Sequence, residues 1–137
     1  MSTENVDAVR RCLDGWNRGD VDAWLESAHP DVEFYSEIAR RMQGAETVSR
    51  GVAELRRFWD DWHSVWNLKI EAAEIRDHGD TVVVLGRMQA RGEASGVNLE
   101  QPVAYVYEFE GGLARRVRAY LDPQLALEAV AHSSRTK

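Results

Sequence analysis

Residues 16–24 join the end of one helix to the start of another, and this junction limits the possible folds more than any other part of the sequence. Gly19 can adopt the left-handed conformation that ends a helix. Asp20 can accept hydrogen bonds from the free amides of the next helix. Pro30 is expected to close that second helix and to release an extended strand. The junction therefore predicts two helices followed by a strand.

Apolar residues recur at helical spacing in three parts of the sequence. The first predicted helix places four of them on one face: Val6, Val9, Leu13 and Trp16. The second is shorter and carries Val21, Trp24, Leu25 and Ala28. The third follows Gly51 and has the longest apolar face: Val52, Leu55, Phe58, Trp59, Trp62, Val65 and Trp66. Residues 37–49 are polar and irregular, and no element is predicted there.

From Asn67 onward the apolar period changes to two, which is typical of strands. The alternation changes parity at residues 72–73, which indicates a bulge and a bent strand. Further strands are predicted at 81–91, 97–109 and 113–121, and Gly111 and Gly112 form a tight hairpin turn. Asp122 and Pro123 read as the cap and first residue of a closing helix. The sequence thus predicts an α+β domain with its helices on one sheet face.

Composition excludes several classes of protein. The length of 137 residues fits one domain, predicted at 1–131, with a flexible tail at 132–137. A net charge of -6 argues against nucleic acid as a partner. The longest apolar run, residues 82–85, is too short to span a membrane. The single cysteine, Cys12, excludes an internal disulfide and agrees with a cytoplasmic location. Because the histidines are dispersed, we expect no metal and no cofactor.

Five segments carry a resemblance to a known family. They are residues 16–20, 29–33, Gly51 at the start of the third helix, 91–96 and 118–122. With them the chain resembles the nuclear-transport-factor-2-like superfamily, in its SnoaL-like branch, which includes polyketide cyclases and is related to ketosteroid isomerases. The resemblance implies a cone-shaped, curved antiparallel sheet wrapped around N-terminal helices, with a short C-terminal helix. It also implies an apolar cavity, which many relatives use for small polycyclic or terpenoid ligands.

The same resemblance argues against isomerase chemistry. Isomerase relatives have a tyrosine in the first helix, an aspartate base at the end of the first strand and a second aspartate on the long strand. Here those positions correspond to Cys12, Tyr35 and Tyr105, so the carboxylate base is missing. Cyclase relatives place an acid in the final strand, where residues 117–121 contain none. Hydrolase relatives need an Asp-Arg-Asp set, for which Arg87 and Arg91 offer no obvious neighbouring aspartate.

Three side chains are weak candidates for proton transfer. Glu37 could act as an acid or base near the cavity, or it could be a solvated carboxylate at its rim. His63 is the only histidine placed to enter a cavity, or it could be a boundary residue bonded to water or backbone. Asp122 lies close to the final strand, although its position before Pro123 favours helix capping.

Ligand contacts are expected from aromatic and amphipathic side chains. On the long strand, Tyr105 and Tyr107 share one face, which we assign inward; a tyrosine there could donate to a ligand or simply bond to a neighbour in the core. The assignment of Tyr35 to the inward face depends on an ambiguous strand register. The predicted ligand-binding residues are Trp16, Tyr35, Trp59, Met88, Gln101, Tyr105 and Tyr107.

Three functions remain open from the sequence. The first is a pocket protein that binds a small apolar ring compound. The second is an isomerase, cyclase or hydrolase of secondary metabolism that uses acid and base residues in the cone. The third is a non-catalytic module that forms a homodimer through its outer sheet face, where Arg116, Arg118 and Tyr120 alternate.

Overall fold

The computed structural model describes residues 2–43, 48–64, 66–92, 96 and 98–135, and these form five helices and six strands. The helices are α1 (Ser2–Arg18), α2 (Val21–Leu25), α3 (Glu37–Gln43), α4 (Gly51–His63) and α5 (Pro123–Arg135). The strands are β1 (Ala28–Ser36), β2 (Val48–Arg50), β3 (Trp66–Asp77), β4 (Thr81–Gly92), β5 (Asn98–Glu110) and β6 (Leu113–Tyr120).

The strands form one mixed sheet in the order β2-β1-β6-β5-β4-β3. Neighbouring strands are antiparallel except β1 and β6, which run parallel. A parallel pair needs a long crossover connection, and here most of the domain lies between the two strands. The predicted α+β fold is confirmed, and the sheet departs from a purely antiparallel one at this pair alone among the described strands.

The sheet has a different cover on each face. Helices α1 and α4 pack on the inner face, where Val9, Leu13 and Trp59 join the main apolar core. On the outer face, Ala126 of α5 packs against Ala104 and Val106 of β5, so the expectation that the helices share one sheet face is wrong for α5. Among the described residues, no helix is long and apolar enough to cross a membrane. The cavity described below lies on the inner side, between the N-terminal helices and the sheet.

The C-terminal end of α1 is bound to the edge strand β3 by two consecutive side chains. The Trp16 indole Nε1 donates to the Leu68 carbonyl at 3.0 Å. The Asn17 carboxamide donates to the Ile70 carbonyl and accepts from the Ile70 amide, both at 2.8 Å. An edge strand leaves such backbone groups unpaired. Asn17 therefore occupies the position that a neighbouring strand would take, and Lys69 adds a bond from its Nζ to the Asn17 carbonyl.

The predicted junction after α1 is confirmed. Gly19 has a φ of 75°, and the Asp20 carboxylate accepts from the Ala23 amide at 3.1 Å. The role predicted for Pro30 is wrong, because α2 ends at Leu25 and Pro30 lies within β1. It falls where the pairing of β1 with β6 shifts register, between Ala28 and Glu33. Proline has no amide hydrogen, so it is tolerated at such an irregularity.

Three other expectations about the elements need correction. Residues 37–49 contain α3 and β2, and the Ser36 hydroxyl accepts from the Ala39 amide in the first turn of α3. The third predicted helix ends at His63, and Trp66 instead begins β3 opposite Gly92; Val65 lies outside the described residues. Helix α5 continues through residues 132–135 of the predicted tail, because no glycine or proline interrupts it. Residues 136 and 137 are not among those described.

The predicted bulge and hairpin are present. The register between β3 and β4 shifts between Ala72 and Glu74, where the sequence changes parity. Gly86 lies opposite this point, and a Cβ there would lie 2.0 Å from the Glu71 carbonyl oxygen. The hairpin between β5 and β6 turns at Gly111 and Gly112, whose φ angles are 60° and 81°. Only glycine adopts such angles readily, which explains the tight turn.

We expect the replacement Asn17→Ala to lower the free energy of unfolding by about 1–3 kcal/mol, because it removes two hydrogen bonds to the backbone of Ile70. Urea unfolding followed by fluorescence would measure the change. Asn67→Ala is the matched control, since Asn67 is an exposed asparagine of β3, the strand to which Ile70 belongs. It should change the free energy of unfolding by less than about 0.5 kcal/mol. Equal losses in the two variants would contradict the role given to Asn17.

Candidate functional site

A single apolar cavity dominates the space between the N-terminal helices and the inner sheet face of the described residues. Its walls come from α1, α2, α4, β1, β3, β5 and β6. The centre of a water molecule can occupy about 60 Å³ of it. One water needs roughly 10–15 Å³ by this measure, so the space equals about four to six waters. The space is smaller than the roughly 150 Å³ of an engineered apolar cavity that binds benzene.

Aromatic rings from the helices and β1 form one side of this cavity. Trp24 of α2 lies 5.3 Å from Trp16 and 6.4 Å from Phe58, measured between ring centroids. Phe34 of β1 lies 4.9 Å from Phe58 in an edge-to-face arrangement. On α4, Phe58 and Trp62 line the cavity because they recur at helical spacing on the face toward β1. Trp24 and Phe58 are half-buried, whereas Trp16, Phe34 and Trp62 are buried.

The opposite side is formed by the inward face of β5. Tyr105, Tyr107 and Phe109 alternate along the strand and are all buried. The ring centroids of Tyr105 and Tyr107 are 6.2 Å apart, and those of Tyr107 and Phe109 are 6.3 Å apart. The prediction that this aromatic face points inward is confirmed.

The polar groups of the cavity differ in whether they already have partners. Cys12 Sγ and the Tyr107 hydroxyl lie 3.5 Å apart in a hydrogen bond. The Ser36 hydroxyl is bonded to the Ala39 amide, and the Trp16 indole to the Leu68 carbonyl. Tyr105 is only 7% exposed, and its hydroxyl has no hydrogen-bond partner among the described residues. Because its oxygen is not itself sealed from a water-sized molecule, it is free to bond to water or to a ligand, which makes Tyr105 the polar group of most interest here.

The titratable groups of the cavity are all held in their neutral forms. Burial raises the pKa of Cys12 to about 11, although the hydrogen bond from Tyr107 opposes the shift. Burial also raises the pKa of Tyr105 and of Tyr107 above the usual range for tyrosine, and the neighbouring Cys12 adds to both shifts. Each of these side chains therefore stays protonated near neutral pH. A protonated thiol is a poor nucleophile, so Cys12 is not activated.

Among the residues that the structure describes, the lining has no side chain suited to proton transfer near neutral pH. No aspartate, glutamate, histidine, lysine or arginine lines the cavity among the described residues. In the same described part of the chain, no three His, Cys, Asp or Glu side chains are placed to hold a metal ion. The cavity can therefore enclose an apolar molecule and offer it a hydrogen bond.

The three candidates for proton transfer lie outside the cavity and have structural contacts. Glu37 Oε1 accepts from the Leu121 amide at 2.6 Å. Asp122 caps α5 by accepting from the Gln124 amide at 2.9 Å. The capping role considered for Asp122 therefore explains its position. Glu37 is buried and lies outside the lining, so it is neither a cavity acid or base nor a solvated carboxylate at the rim.

His63 is also placed away from the cavity. Its ring stacks on Trp59 with 3.7 Å between centroids, and its two nitrogens lie 3.2 Å from the Trp59 carbonyl and 3.4 Å from the Trp16 carbonyl. The histidine therefore connects the C-terminal ends of α1 and α4. Its position therefore fits a boundary histidine bonded to the backbone, and it does not fit a histidine that enters the cavity.

The predicted ligand-binding residues divide into two groups. Trp16, Tyr105 and Tyr107 line the cavity, and contact with a ligand stays a prediction for them. Tyr35 does not, because Val32, Phe34 and Ser36 take the inward face of β1. The Tyr35 ring instead lies 6.4 Å from Tyr120, on the outer side of the sheet. The register assumed for the first strand was therefore wrong by one residue.

Trp59, Met88 and Gln101 also fall outside the lining. Trp59 is buried behind Trp16, with 5.2 Å between ring centroids. Met88 faces inward as expected but is buried in the core at 1% exposure. Gln101 pairs with Met88 on the neighbouring strand and is half-buried. These three residues support the wall without forming its surface.

Several lining residues were not predicted from the sequence as ligand contacts. They include Trp24, Phe34, Ser36, Phe58 and Trp62. The alternation of residues 32, 34 and 36 was a usable signal for β1, and the helical spacing of 55, 58 and 62 was one for α4. Cys12 is half-buried at the cavity wall beside Tyr107.

Comparison with known proteins identifies the fold and the family. The family model of the SnoaL-like domain matches residues 9–117 of this chain. No curated protein gives a significant match. A nuclear-transport-factor-2-like protein of unknown function from Burkholderia pseudomallei is 21% identical, with a TM-score of 0.78 over 91% of this chain and 95% of that one.

Two further solved structures are similar. TerC, co-crystallized with polyporic acid, is 22% identical, with a TM-score of 0.77 over 91% of this chain and 96% of that one. A protein of Jannaschia sp. CCS1 named for SnoaL-like polyketide cyclases is 20% identical, with a TM-score of 0.74 over 91% and 90% of the two chains. At such identities the likeness concerns the fold alone. Because the domain model covers most of the sequence, the chain belongs to the SnoaL-like domain family of the nuclear-transport-factor-2-like superfamily.

Proposed function

We propose that this protein binds a small, apolar, ring-type molecule in the cavity between α1, α4 and β5. The observation that carries the proposal is the Tyr105 hydroxyl, which lies at an apolar, aromatic cavity without a partner among the described residues. A ligand oxygen at this point would accept the missing hydrogen bond. The rings of Trp16 and Phe58 would meanwhile pack against its apolar surface.

The size of the cavity limits the ligand in this conformation. About 60 Å³ of space favours a single small ring over a polycyclic molecule. A larger molecule would need side chains to move, and Trp24 and Phe58 are the half-buried aromatic residues of the wall. A monocyclic compound is therefore the ligand class that needs the least rearrangement.

Binding is favoured over catalysis by the chemistry of the lining. Acid and base catalysis needs a titratable group within hydrogen-bond reach of the substrate. Glu37, His63 and Asp122 have backbone partners elsewhere, and no carboxylate or imidazole replaces them among the described lining residues. The arrangement offers a hydrogen-bond donor and an apolar enclosure, which suffice for binding.

The homodimer and the cytoplasmic location remain predictions. Helix α5 covers Ala104 and Val106 on the outer sheet face. Tyr35, Arg118 and Tyr120 remain half-buried beside it, and they are the surface that a second copy would cover.

The variant Tyr105→Phe tests the proposed hydrogen bond with two ligands of the same shape. Cyclohexanone carries an oxygen acceptor, and methylenecyclohexane replaces it with carbon. We expect the variant to bind cyclohexanone about five- to tenfold more weakly and methylenecyclohexane unchanged, because only the ketone loses a hydrogen bond. Titration followed by NMR chemical shifts would give both dissociation constants.

Tyr35→Phe is the matched control for this experiment, since that tyrosine lies on the outer side of the sheet and should leave both affinities unchanged. Equal weakening of both ligands by Tyr105→Phe would remove the hydroxyl from the site. Absence of saturable binding by either ligand would contradict the proposed function.

The chain's only cysteine gives a second test of the cavity. Because burial raises the pKa of Cys12 to about 11, iodoacetamide should alkylate the native protein at least roughly a hundredfold more slowly than the urea-unfolded chain near pH 8. The native rate should keep rising about tenfold per pH unit up to about pH 10, where the unfolded chain has levelled off. Mass spectrometry would follow both reactions.

Occupation of the cavity should slow this alkylation further. Saturating cyclohexanone is expected to protect Cys12, which lines the cavity beside Tyr107. A native rate equal to that of the unfolded chain would show that Cys12 is neither buried nor neutral in solution. No protection by a ligand that binds would place the ligand elsewhere.

A further inference from the structure

We propose that the cavity binds a ring compound only in its neutral form and excludes the anion of the same compound. This inference rests on the proposed function and adds the charge class of the ligand. Its first basis is the lining, in which the described residues contribute apolar, aromatic, thiol and hydroxyl groups and no cation. An anion that enters such a space loses its water without gaining a counterion.

The second basis is the number of hydrogen-bond donors available to a ligand. The Tyr105 hydroxyl has no partner among the described residues. Cys12 and Tyr107 share one hydrogen bond, which leaves one of their two hydrogens free, and the Ser36 hydroxyl accepts from the Ala39 amide without donating to a described residue. The Trp16 indole is committed to the Leu68 carbonyl. An oxyanion is stabilised by several converging donors. These few neutral donors, with no cation beside them among the described lining residues, recover only part of the cost of removing an anion from water, whereas a single donor is enough for a neutral ketone or ether.

The third basis is the position of nearby cations, which are paired at the surface. Arg56 of α4 lies 3.0 Å from the Asp22 carboxylate, and Arg115 of β6 lies 3.7 Å from that of Glu33. The His63 ring nitrogens face backbone carbonyls. None of these cationic or titratable groups lines the cavity, so none can neutralise a buried anion there.

The titratable groups that do face the cavity stay neutral over the range of the test. Burial raises the pKa of Cys12 to about 11 and raises the pKa of Tyr105 and of Tyr107 above the usual range. A change in binding around neutral pH would therefore report the ionisation of the ligand. It would not report a change in the walls.

The experiment compares 4-cyanophenol, which ionises to a phenolate slightly above neutral pH, with 4-methylbenzonitrile, which has a similar shape and does not ionise. Dissociation constants are measured on the full chain by NMR titration from one pH unit below to two above the pKa of the phenol. We expect the affinity for 4-cyanophenol to fall about tenfold per pH unit above that pKa, because only the neutral fraction binds. The affinity for 4-methylbenzonitrile should stay constant.

Each outcome separates this inference from the proposed function. Affinity for 4-cyanophenol that is flat or rises above its pKa would overturn the inference and leave ligand binding intact. A parallel fall for both compounds would assign the pH dependence to the protein and would also overturn it. Failure of both compounds to bind at any pH would overturn the proposed function together with this inference. In Tyr105→Phe, the affinity for 4-cyanophenol should be lower overall but should still fall about tenfold per pH unit above the pKa of the phenol, because the apolar walls exclude the anion. Loss of this pH dependence in the variant would contradict exclusion by the walls.

Discussion

The attachment of α1 to the edge strand β3 is the interaction on which the rest of the structure depends. Trp16 and Asn17 bind the backbone of Leu68 and Ile70 through three hydrogen bonds of 2.8–3.0 Å. These bonds hold the helix layer at a fixed height above the curved sheet. Since the cavity is the space between those two layers, its shape follows from this attachment. The same bonds cover part of an edge that would otherwise be open to another strand.

Local features of the fold could be predicted from sequence because their causes are local. Gly19, Asp20 and Gly111 act within a few residues through backbone angles and capping bonds, and each was placed correctly. The inward face of β5 was also correct, because its alternation is unbroken over many residues. The contact between Asn17 and Ile70 spans 53 positions, and no local pattern indicates which strand a side chain on α1 will meet.

The candidate site was predicted less well, and the reason lies mainly in β1. Both of its faces carry aromatic and polar residues, so the register borrowed from relatives decided the assignment and put Tyr35 inside. The structure follows the alternation of Val32, Phe34 and Ser36 instead. Glu37 was misplaced for the same reason, and its carboxylate binds the Leu121 amide. A seven-residue helix such as α3 is too short to show a period that would have corrected the register.

The central claim is that the space between Trp16, Phe58 and Tyr105 is a real cavity that accepts a guest. The most direct measurement is a crystal structure determined under xenon pressure, because xenon enters apolar cavities without needing any particular polar partner. We expect a strong xenon peak in contact with these three side chains, while their positions stay nearly unchanged. A structure in which the rings close this space and xenon is absent from it would show that no such cavity exists.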